Sequence, residues 1–320
     1  MNYNKKIINI INIMSDGKFY SIKKINKKLE KNIVNEINIR NIIRILKKWG
    51  LNIITCDNIK YAFKNRVKLL NIKNIYNMIK KIFYIPVINS TNKYLLNNIK
   101  KFKSGDVCIS EYQTKGYGKR NKKWFSPFGC NIYISMYWCF NKQKYFKQKG
   151  ISIIITISIA EVLKNIGVKK IKIKWPNDLY LNNKKLAGII IESCDKNYKK
   201  ISLAIGIGIN VRMKYSNTDN EIDQPWISLI ESGINIDRNL IIPKLINKLI
   251  DSLKKFNKYG FMKFKNKWLI FDNYINKKVK LFNGNNNIIG INKGIDMQGN
   301  LLIKVNKQIK VIKNGKIILK

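Results

Sequence analysis

Apolar residues recur at helical spacing through the first 65 positions of the chain. One predicted helix carries Ile7–Met14, Ser21 stands where an N-cap would start a second, and Ile39–Leu46 marks a third. Alternating patterns at Asn52–Cys56 and Lys60–Phe63 then predict a pair of strands. Three short helices and a small β-ribbon are typical of a winged helix-turn-helix. Such a unit binds DNA through its third helix or, where it has no ligand, serves as a packing module.

Strand and helix patterns alternate between positions 67 and 272. The predicted strands are Ile82–Pro86, Asp106–Tyr112, Asn131–Trp138, Lys170–Lys174, Lys185–Glu192 and Lys200–Val211. The predicted helices are Ser90–Phe102, Ile151–Asn165 and Leu240–Phe264. This alternation indicates a mixed central sheet with helices packed on it, and hence a fold of the α+β class.

The last segment is rich in short strands joined by glycine turns. The predicted strands are Lys278–Phe282, Ile288–Ile295, Leu301–Val305 and Lys307–Val311. Short strands with tight turns indicate a small β-barrel. We therefore expect three domains, 1–66, 67–272 and 273–320, which agrees with a length of 320 residues.

The chain is strongly basic, with 63 Lys and Arg against 18 Asp and Glu, a net charge of +45 at pH 7. Taken alone, that balance favours a nucleic-acid partner, because surface cations displace the counterions of phosphates. The lysines, however, occur in every segment beside an excess of Asn and Ile, which share A/T-rich codons. Codon drift explains this pattern more simply than selection for polyanions, so the charge is weak evidence of function.

Histidine is absent, which excludes Ser-His-Asp and Cys-His catalysis and the usual zinc sites. Five cysteines without a CxxC pair, and without a secretory signal before them, indicate reduced thiols in a cytoplasmic protein. The most apolar run, Ile151–Leu163, is interrupted by Glu161 and is shorter than the roughly 20 residues that span a bilayer, so no membrane partner is expected. Catalysis would rest on lysine, arginine, carboxylates, backbone amides and a metal ion.

A basic loop punctuated by glycines reads GYGKRNKKW from Gly116 onward. Gly116 and Gly118 let the backbone approach a ligand, while Lys119 and Arg120 supply positive charge. Such a loop could close over an anionic intermediate and exclude water, although a solvated basic turn is the simpler interpretation of the loop alone. The aromatic continuation Trp124–Phe128 favours closure, because loops seldom carry so much apolar surface without packing it.

Two neighbouring motifs, KWPND at Lys174–Asp178 and KKLAG at Lys184–Gly188, form a hairpin-like unit. Asp178 offers a hard oxygen ligand for Mg²⁺ on a polyphosphate, and Asn177 tolerates an unusual turn geometry. Lys185 begins a strand beside small residues, where it could hold a carboxylate and a phosphate oxygen while one attacks the other. Each motif alone is an ordinary turn or an exposed lysine, so the functional interpretation depends on their proximity.

Two further segments favour a ligand lying against the sheet. Gly206 and Gly208 alternate in a strand, which is not the GxGxxG loop of a Rossmann fold but leaves one strand face flat. Ser90, Thr91 and Asn92 begin a helix, where they could contact a polar ligand head or simply cap the helix.

Taken together, these segments resemble the biotin–protein ligases of the bifunctional kind that also repress biotin operons. The matching stretches are VINSTNKYLL from Val87, SGDVCISEYQTKGYGKRNKKWFSPFGCNIYISMYW from Ser104, KIKWPNDLYLNNKKLAGIIIE from Lys172, IGIGIN from Ile205, and FDNYINKKVKL and GIDMQGNLL near the end. The resemblance implies ATP-dependent activation of biotin to biotinyl-5′-AMP, with release of pyrophosphate. Biotin then passes to a lysine of the biotin carboxyl carrier protein of acetyl-CoA carboxylase. It also implies a class II synthetase-like catalytic domain, an SH3-like C-terminal barrel, Mg²⁺ as a cofactor, and a homodimer and operator DNA as further partners.

The resemblance also implies roles for individual residues. Biotin would be bound by Ser90, Thr91, Asn92, Gln113, Gly116, Tyr117, Gly118, Lys119, Lys185, Gly188, Gly206 and Gly208. The nucleotide would be bound by Lys174, Asn177, Asp178, Asn210 and Trp226, with Mg²⁺ on Asp178. The catalytic residues would be Lys185, Asp178, Lys119 and Arg120, with Lys185 holding the biotin carboxylate against the α-phosphate.

The chain departs from the family pattern in two places. The family loop reads GRGRRGRxW, so Tyr117 and Lys119 replace arginines and Asn121 replaces a glycine. Because lysine lacks the bidentate fork of arginine, we expect weaker retention of the adenylate. The turn Glu30–Asn38 is about three residues longer than the usual helix-turn-helix connection and lacks its glycine, and the wing Asp57–Tyr61 also lacks glycines. We therefore expect weakened sequence-specific DNA binding beside intact ligation.

Two alternatives share parts of this pattern. A lipoate or octanoate transferase has the same general architecture, but the chain lacks the RRxSGGG-type segment of that class. A winged-helix regulator with a vestigial catalytic half is the other alternative, and the presence of Lys185, Asp178 and Gln113 argues against it.

Overall fold

The structure, a computed structural model, describes residues 3–29, 36–57, 59–76, 81–141, 150–194, 200–215, 222–283 and 286–320. The helices in these ranges are α1 (Tyr3–Met14), α2 (Ile22–Lys28), α3 (Glu36–Lys48), α4 (Ile72–Tyr76), α5 (Thr91–Asn97), α6 (Ile151–Asn165), α7 (Arg238–Tyr259) and α8 (Met262–Phe271). The strands are β1 (Tyr20–Ser21), β2 (Ile53–Cys56), β3 (Lys60–Phe63), β4 (Ile82–Tyr84), β5 (Val87–Ile88), β6 (Val107–Ser110), β7 (Tyr112–Gln113), β8 (Ile132–Asn141), β9 (Lys172–Lys174), β10 (Asp178–Leu181), β11 (Lys184–Cys194), β12 (Lys200–Ile209), β13 (Lys278–Asn283), β14 (Asn286–Ile295), β15 (Leu301–Val305), β16 (Gln308–Ile312) and β17 (Lys316–Leu319).

The N-terminal part of the chain folds as its apolar spacing predicts. Helices α1, α2 and α3 pack beside a three-stranded antiparallel sheet of order β1-β3-β2. Ser21 caps α2, because its hydroxyl accepts a hydrogen bond from the Lys24 amide at 3.3 Å. Ile7, Ile25 and Leu46 share one apolar cluster. The three predicted helices and the predicted strand pair are confirmed.

Two features predicted to weaken DNA binding lie partly outside the described residues. Of the long turn Glu30–Asn38, residues 30–35 are outside, and α3 begins within the turn at Glu36. Of the wing, Asn58 is outside, while Asp57 adopts a left-handed φ of +50° at the end of β2.

An aromatic contact joins the N-terminal part to the rest of the molecule. The indole of Trp49, which directly follows α3, stacks on Tyr112 and Phe128 with ring centroids 5.2 and 5.6 Å away. The Phe128 amide also donates to the Trp49 carbonyl at 2.8 Å. Tyr112 precedes the basic loop and Phe128 follows it, so the end of α3 packs against both flanks of that loop.

Seven strands form the central mixed sheet, in the order β4-β6-β8-β12-β11-β10-β9. Strands β4 and β6 run parallel and the other neighbours run antiparallel. Helices α6 and α7 cover one face, and α6 is apolar on nearly every side, as expected of a helix enclosed by a core. Helix α5 covers part of the opposite face. The uncovered remainder, hereafter the ligand face, carries Gly188, Gly206 and Gly208.

Three elements differ from their predicted bounds. The segment Asp106–Tyr112 divides into β6 and β7, because β7 leaves the central sheet and pairs with β5. The helix predicted at Ser90–Phe102 ends at Asn97, after which the chain makes a 3₁₀ turn. The helix predicted at Leu240–Phe264 is two helices, because Gly260 adopts φ +70° and ends α7. The remaining predicted strands and the helix Ile151–Asn165 are confirmed to within three residues.

The C-terminal part is a five-stranded antiparallel sheet of order β16-β15-β14-β13-β17, which confirms a small strand-rich unit. Strands β10 and β17 were not predicted. Apolar residues of this unit, Ile295, Leu301 and Ile303, belong to the same core as the central sheet. In the part of the chain that the structure describes, no helix is both long and apolar enough to cross a membrane.

Candidate active site

A cavity of about 340 Å³ opens on the ligand face. Its walls come from the start of α5, the basic loop, the strands β9 to β12 and the C-terminal strand β17. The residues with predicted biotin, nucleotide or catalytic roles that line it are Ser90, Thr91, Asn92, Gln113, Tyr117, Gly118, Lys119, Arg120, Lys174, Asn177, Asp178, Lys185, Gly188, Gly206 and Gly208. The structure thus brings together residues that are more than 100 positions apart in the sequence.

Glycines form the floor of the cavity. The strand register places Gly188 opposite Gly208, and the indole of Trp124 lies across both. A β-carbon added at Gly208 would stand 2.4 Å from that indole, and one added at Gly188 would stand 3.0 Å from it. Only glycine at both positions leaves the ring in place, so the flat strand face expected from the sequence is present.

Neutral polar groups gather at the start of α5. The Ser90 hydroxyl caps the helix by accepting from the Lys93 amide at 3.4 Å, so the capping interpretation of this residue is confirmed. Gln113 Oε1 accepts from the Thr91 amide at 2.9 Å, and the Thr91 hydroxyl lies 2.8 Å from that of Ser135. These bonds fix a polar end of the cavity that can both donate and accept hydrogen bonds.

One buried polar atom at this end, the carbonyl oxygen of Asn92, has no hydrogen-bond partner among the described residues, while the amide nitrogen of Asn92 donates to Glu192. Buried polar atoms are normally paired, and an unpaired one costs free energy. The oxygen therefore offers an acceptor to a bound polar ligand. Nε1 of Trp124 also lacks a partner there, but it packs against Gly208.

The basic loop folds back on itself as a short hairpin. Residues 116–118 pair with residues 122–124, and the Gly118 amide donates to the Lys122 carbonyl at 2.8 Å. The tip turns through Asn121 at φ +55°, the left-handed region. Asparagine tolerates that region better than most residues, which explains how it stands in place of a glycine.

Two side chains fasten the loop to the rest of the site. The Tyr117 hydroxyl donates to Glu192 Oε2 at 2.7 Å, and Lys119 Nζ donates to Asn177 Oδ1 at 3.0 Å. Burial raises the pKa of Tyr117 to about 12, and the Glu192 carboxylate adds to the shift. The hydroxyl therefore keeps its proton at neutral pH and remains a donor to Glu192. Together, the two contacts hold the loop against the cavity.

Cations dominate the other end of the cavity. Among the described lining residues, Asp178 is the one carboxylate, against the cations Lys119, Arg120, Lys122, Lys123, Lys174, Lys185 and Lys316. Lys185 Nζ lies 3.0 Å from Asp178 Oδ1. Burial lowers the pKa of Lys119 and of Lys174, and the nearby Asp178 opposes the shift. Such an excess of positive charge suits a polyphosphate.

Three residues with predicted roles do not line the cavity. Gly116 lies behind it, where a β-carbon would stand 2.6 Å from Ser126 Oγ. The Asn210 amide is buried and donates to the Ile227 carbonyl at 3.2 Å. Trp226 packs on Tyr215 beside the start of β11. The contacts of these residues with biotin or nucleotide stay predictions.

Three residues at the site had no predicted role. Trp124 forms the wall over the glycines, and its only signal in the sequence was the unusual apolar content of its loop. Glu192 accepts hydrogen bonds from Tyr117 and Asn92, which are 75 and 100 residues away, so no local pattern marks it. Lys316 lines the cavity from β17, a strand that the sequence pattern does not predict.

The site has little capacity to hold a metal ion by protein groups alone. Within the described ranges, no three His, Cys, Asp or Glu side chains are close enough together to form a metal centre. Asp178 can supply one hard oxygen ligand at the cationic end. An ion here would therefore need most of its ligands from a bound phosphate and water.

Comparisons with known proteins agree with this architecture. The sequence profile of the "Biotin/lipoate A/B protein ligase family" matches residues 84–210. The proteins named bifunctional ligase/repressor BirA from Salmonella typhimurium and Escherichia coli are each 39% identical over 98% of this chain and 97% of their own. The solved structure of the biotin protein ligase from Aquifex aeolicus in complex with biotin and ATP is similar with a TM-score of 0.65 and 29% identity, covering 76% of this chain and 99% of that one. The chain belongs to the biotin protein ligase family.

Proposed function

We propose that the protein is an ATP-dependent biotin–protein ligase. The observation that carries the proposal is a single cavity with two unlike ends, a neutral polar end over a glycine floor and a cationic end around Lys185. The neutral end suits the bicyclic urea of biotin, and the cationic end suits the phosphates of ATP. The biotin carboxylate and the α-phosphate would then meet beside Lys185.

In the first step, an oxygen of the biotin carboxylate attacks the α-phosphorus of ATP and pyrophosphate leaves. The Lys185 ammonium would hold the two anionic groups together and stabilise the charge of the transition state. Lys119, Arg120 and Lys174 would add positive charge around the phosphates. The closed loop would keep water from the mixed anhydride that forms.

In the second step, the amine of a carrier lysine attacks the biotinyl carbonyl carbon, an amide forms and AMP leaves. Asp178 and Asn177 line the cavity near Lys185, so we assign them to orienting that amine or the phosphates. Mg²⁺ would be held by Asp178 together with phosphate oxygens, and it would neutralise part of the charge of the leaving pyrophosphate.

The carrier implied by the resemblance is the biotin carboxyl carrier protein of acetyl-CoA carboxylase. A lipoate or octanoate transferase is the alternative, because the description of the matching family profile names lipoate beside biotin. The carbonyl oxygen of Asn92, which has no partner among the described residues, favours biotin, since the cyclic urea of biotin has N–H donors and an acyl chain has none.

Biotin-dependent exchange of pyrophosphate into ATP, measured with Mg²⁺, tests the proposal. We expect exchange with biotin and none with lipoate or octanoate. Lys185→Ala should abolish it, while Lys184→Ala, which changes the neighbouring exposed lysine, should not. No exchange by folded wild-type protein would refute adenylation and leave the regulator alternative.

We also propose that the N-terminal part is a winged helix-turn-helix with DNA-binding ability. Arg40, Arg44 and Lys48 are exposed and spaced four residues apart, so they form one basic stripe along α3. The 39% identical relatives are named repressors as well as ligases. Because the wing lacks its glycines, we expect the stripe to contact phosphates more than bases.

Fluorescence anisotropy with a palindromic biotin-operator duplex and a scrambled duplex tests this second proposal. We expect similar affinities for both, falling steeply with salt. Tight, salt-resistant binding to the operator alone would contradict the expectation of weakened specificity. Loss of binding in Arg44→Ala, with ligation intact, would assign the contact to α3.

We propose the domain division 1–66, 67–272 and 273–320, with an SH3-like barrel as the last domain. The apolar cluster of α1 to α3 supports the first boundary, because it is distinct from the core of the central sheet, although it includes Phe128. The shared core of the C-terminal strands and the central sheet indicates that the last two domains unfold together.

A further inference from the structure

One carboxylate beside the cavity has no part in the reaction as proposed. Glu192 lies on the ligand face in β11, and its Oε2 accepts hydrogen bonds from the Tyr117 hydroxyl and from the Asn92 amide. We infer that Glu192 is a positioning residue that latches the basic loop onto the central sheet and orients Asn92 toward biotin. The inference rests on the proposed function for its ligand.

The first half of the role concerns the loop. Tyr117 stands at a position where the family motif has an arginine, and a phenol carries no charge to hold a phosphate. It instead makes a 2.7 Å hydrogen bond to a carboxylate, the strong, charge-assisted kind. Since Lys119 fastens the opposite side of the loop to Asn177, the hairpin is held at two points. The hydrogen bond between Tyr117 and Glu192 therefore offsets part of the adenylate retention that the chain loses because Tyr117 and Lys119 replace arginines.

The second half concerns the amide of Asn92. An ionised carboxylate only accepts hydrogen bonds, so the NH₂ group of Asn92 must face Glu192. The carbonyl oxygen is then left on the side of Gly206, where a β-carbon would stand 3.0 Å from it, and it has no partner in the described residues. An acceptor held there suits an N–H donor, which the cyclic urea of biotin supplies and a lipoyl or octanoyl chain lacks.

Glu192→Gln distinguishes the two proposed roles of Glu192, which are to hold the loop and to orient Asn92. The glutamine carbonyl oxygen can still accept from Tyr117, so the loop stays latched. Its NH₂ group, however, would turn the amide of Asn92 around and satisfy the carbonyl oxygen that biotin needs. Alanine at position 192 removes both contacts, and Tyr117→Phe removes the latch while leaving the bond between Asn92 and Glu192.

Hydrogen exchange of the peptide spanning residues 116–124, measured without any ligand, tests the latch independently of the reaction. We expect the loop amides to exchange about tenfold faster in Tyr117→Phe and Glu192→Ala, the change for losing one hydrogen bond to a charged group. Glu192→Gln should retain protection, and so should Tyr259→Phe, which removes an exposed hydroxyl far from the cavity. Unchanged exchange in α6 would show that the fold is intact. Wild-type protection in Tyr117→Phe would overturn the latch.

Biotin KM and the release of biotinyl-AMP without carrier test the effect on the reaction. We expect Tyr117→Phe to release adenylate faster, Glu192→Gln to raise the biotin KM without faster release, and Glu192→Ala to do both. A wild-type KM in Glu192→Gln would overturn the role in orienting Asn92. If the wild-type protein shows no biotin-dependent exchange at all, the proposed function fails, and the latch is then decided by hydrogen exchange alone.

Discussion

The ammonium of Lys185 lies 3.0 Å from the carboxylate of Asp178, across the hairpin formed by β10 and β11. The side chains are 14% and 27% exposed, so water screens the pair only partly. The ion pair keeps the ammonium at the boundary between the neutral and cationic ends of the cavity. A carboxylate ligand arriving there would find a cation already in position.

Replacing Lys185 should stop adenylation while leaving the fold intact. We expect Lys185→Ala to lower the rate of biotinyl-AMP formation by about 10²- to 10³-fold, the usual cost of losing one preorganised charge contact to a transition state. Single-turnover quench assays would measure this rate. Lys184→Ala is the matched control, because Lys184 is exposed and its ammonium contacts the Tyr215 hydroxyl instead. Equal rates for the two variants would contradict the assignment.

Adding a methyl group to the floor should weaken biotin binding. In Gly208→Ala the new β-carbon would stand 2.4 Å from the Trp124 indole, so the ring must leave its slot. Overpacking of this kind costs about 1–3 kcal/mol, and we expect biotin affinity to fall by about tenfold or more in calorimetry. Gly118→Ala offers a comparison, since its β-carbon would meet nothing closer than 3.8 Å. The idea fails if the two variants bind biotin equally well.

The retention of adenylate should decline as pH rises. Lys119 is exposed along its stem, but its ammonium faces Asn177, and burial lowers its pKa below the ordinary lysine value of 10.5. Burial disfavours the charged ammonium, so Lys119 destabilises the folded protein while it is charged, and this cost disappears as pH rises through the lowered pKa. The neutral amine that remains no longer attracts the anionic adenylate.

Stopped-flow release of biotinyl-AMP across the alkaline range below 10.5 would measure this effect. Lys119→Arg should flatten the pH dependence and slow release at neutral pH, because a guanidinium stays charged and binds phosphate in a bidentate manner. Parallel pH profiles for the two proteins would exclude Lys119 as the titrating group.

A buried ion pair should matter more for stability than any surface pair. Arg238 and Glu111 are 2% and 0% exposed at the side chain, 2.7 Å apart, and the second Glu111 oxygen accepts from the Leu70 amide. Removing one partner strands a buried charge, so we expect Arg238→Ala to lower the free energy of unfolding by about 3–5 kcal/mol in urea titrations. Lys255→Ala, which breaks an exposed pair with Asp251, should cost much less, because solvent screens that pair. Similar losses of unfolding free energy in Arg238→Ala and Lys255→Ala would contradict this expectation.

The parts of the site that were predictable are those encoded by local sequence. The KWPND and KKLAG motifs lie on one hairpin whose turn passes through Asn182 and Asn183, both at positive φ, which asparagine tolerates. Gly206 and Gly208 could be placed on one flat strand face because alternation in a strand puts every second residue on the same side.

The parts that were not predictable depend on contacts between distant segments. Glu192 looks like an ordinary strand residue until the fold brings Tyr117 and Asn92 to it. Asn210 and Trp226 follow the family pattern in sequence, yet neither lines the described cavity, because Asn210 bonds to the Ile227 carbonyl and Trp226 packs on Tyr215. The long predicted helix ran through Gly260 because periodicity continues across a break that only the backbone conformation reveals.

The stack of Trp49 on Tyr112 and Phe128 bears on any truncation of the protein. Removing the first 66 residues would expose two aromatic rings at the flanks of the basic loop. The loop would lose packing on both flanks, so the N-terminal segment supports the candidate active site irrespective of DNA binding.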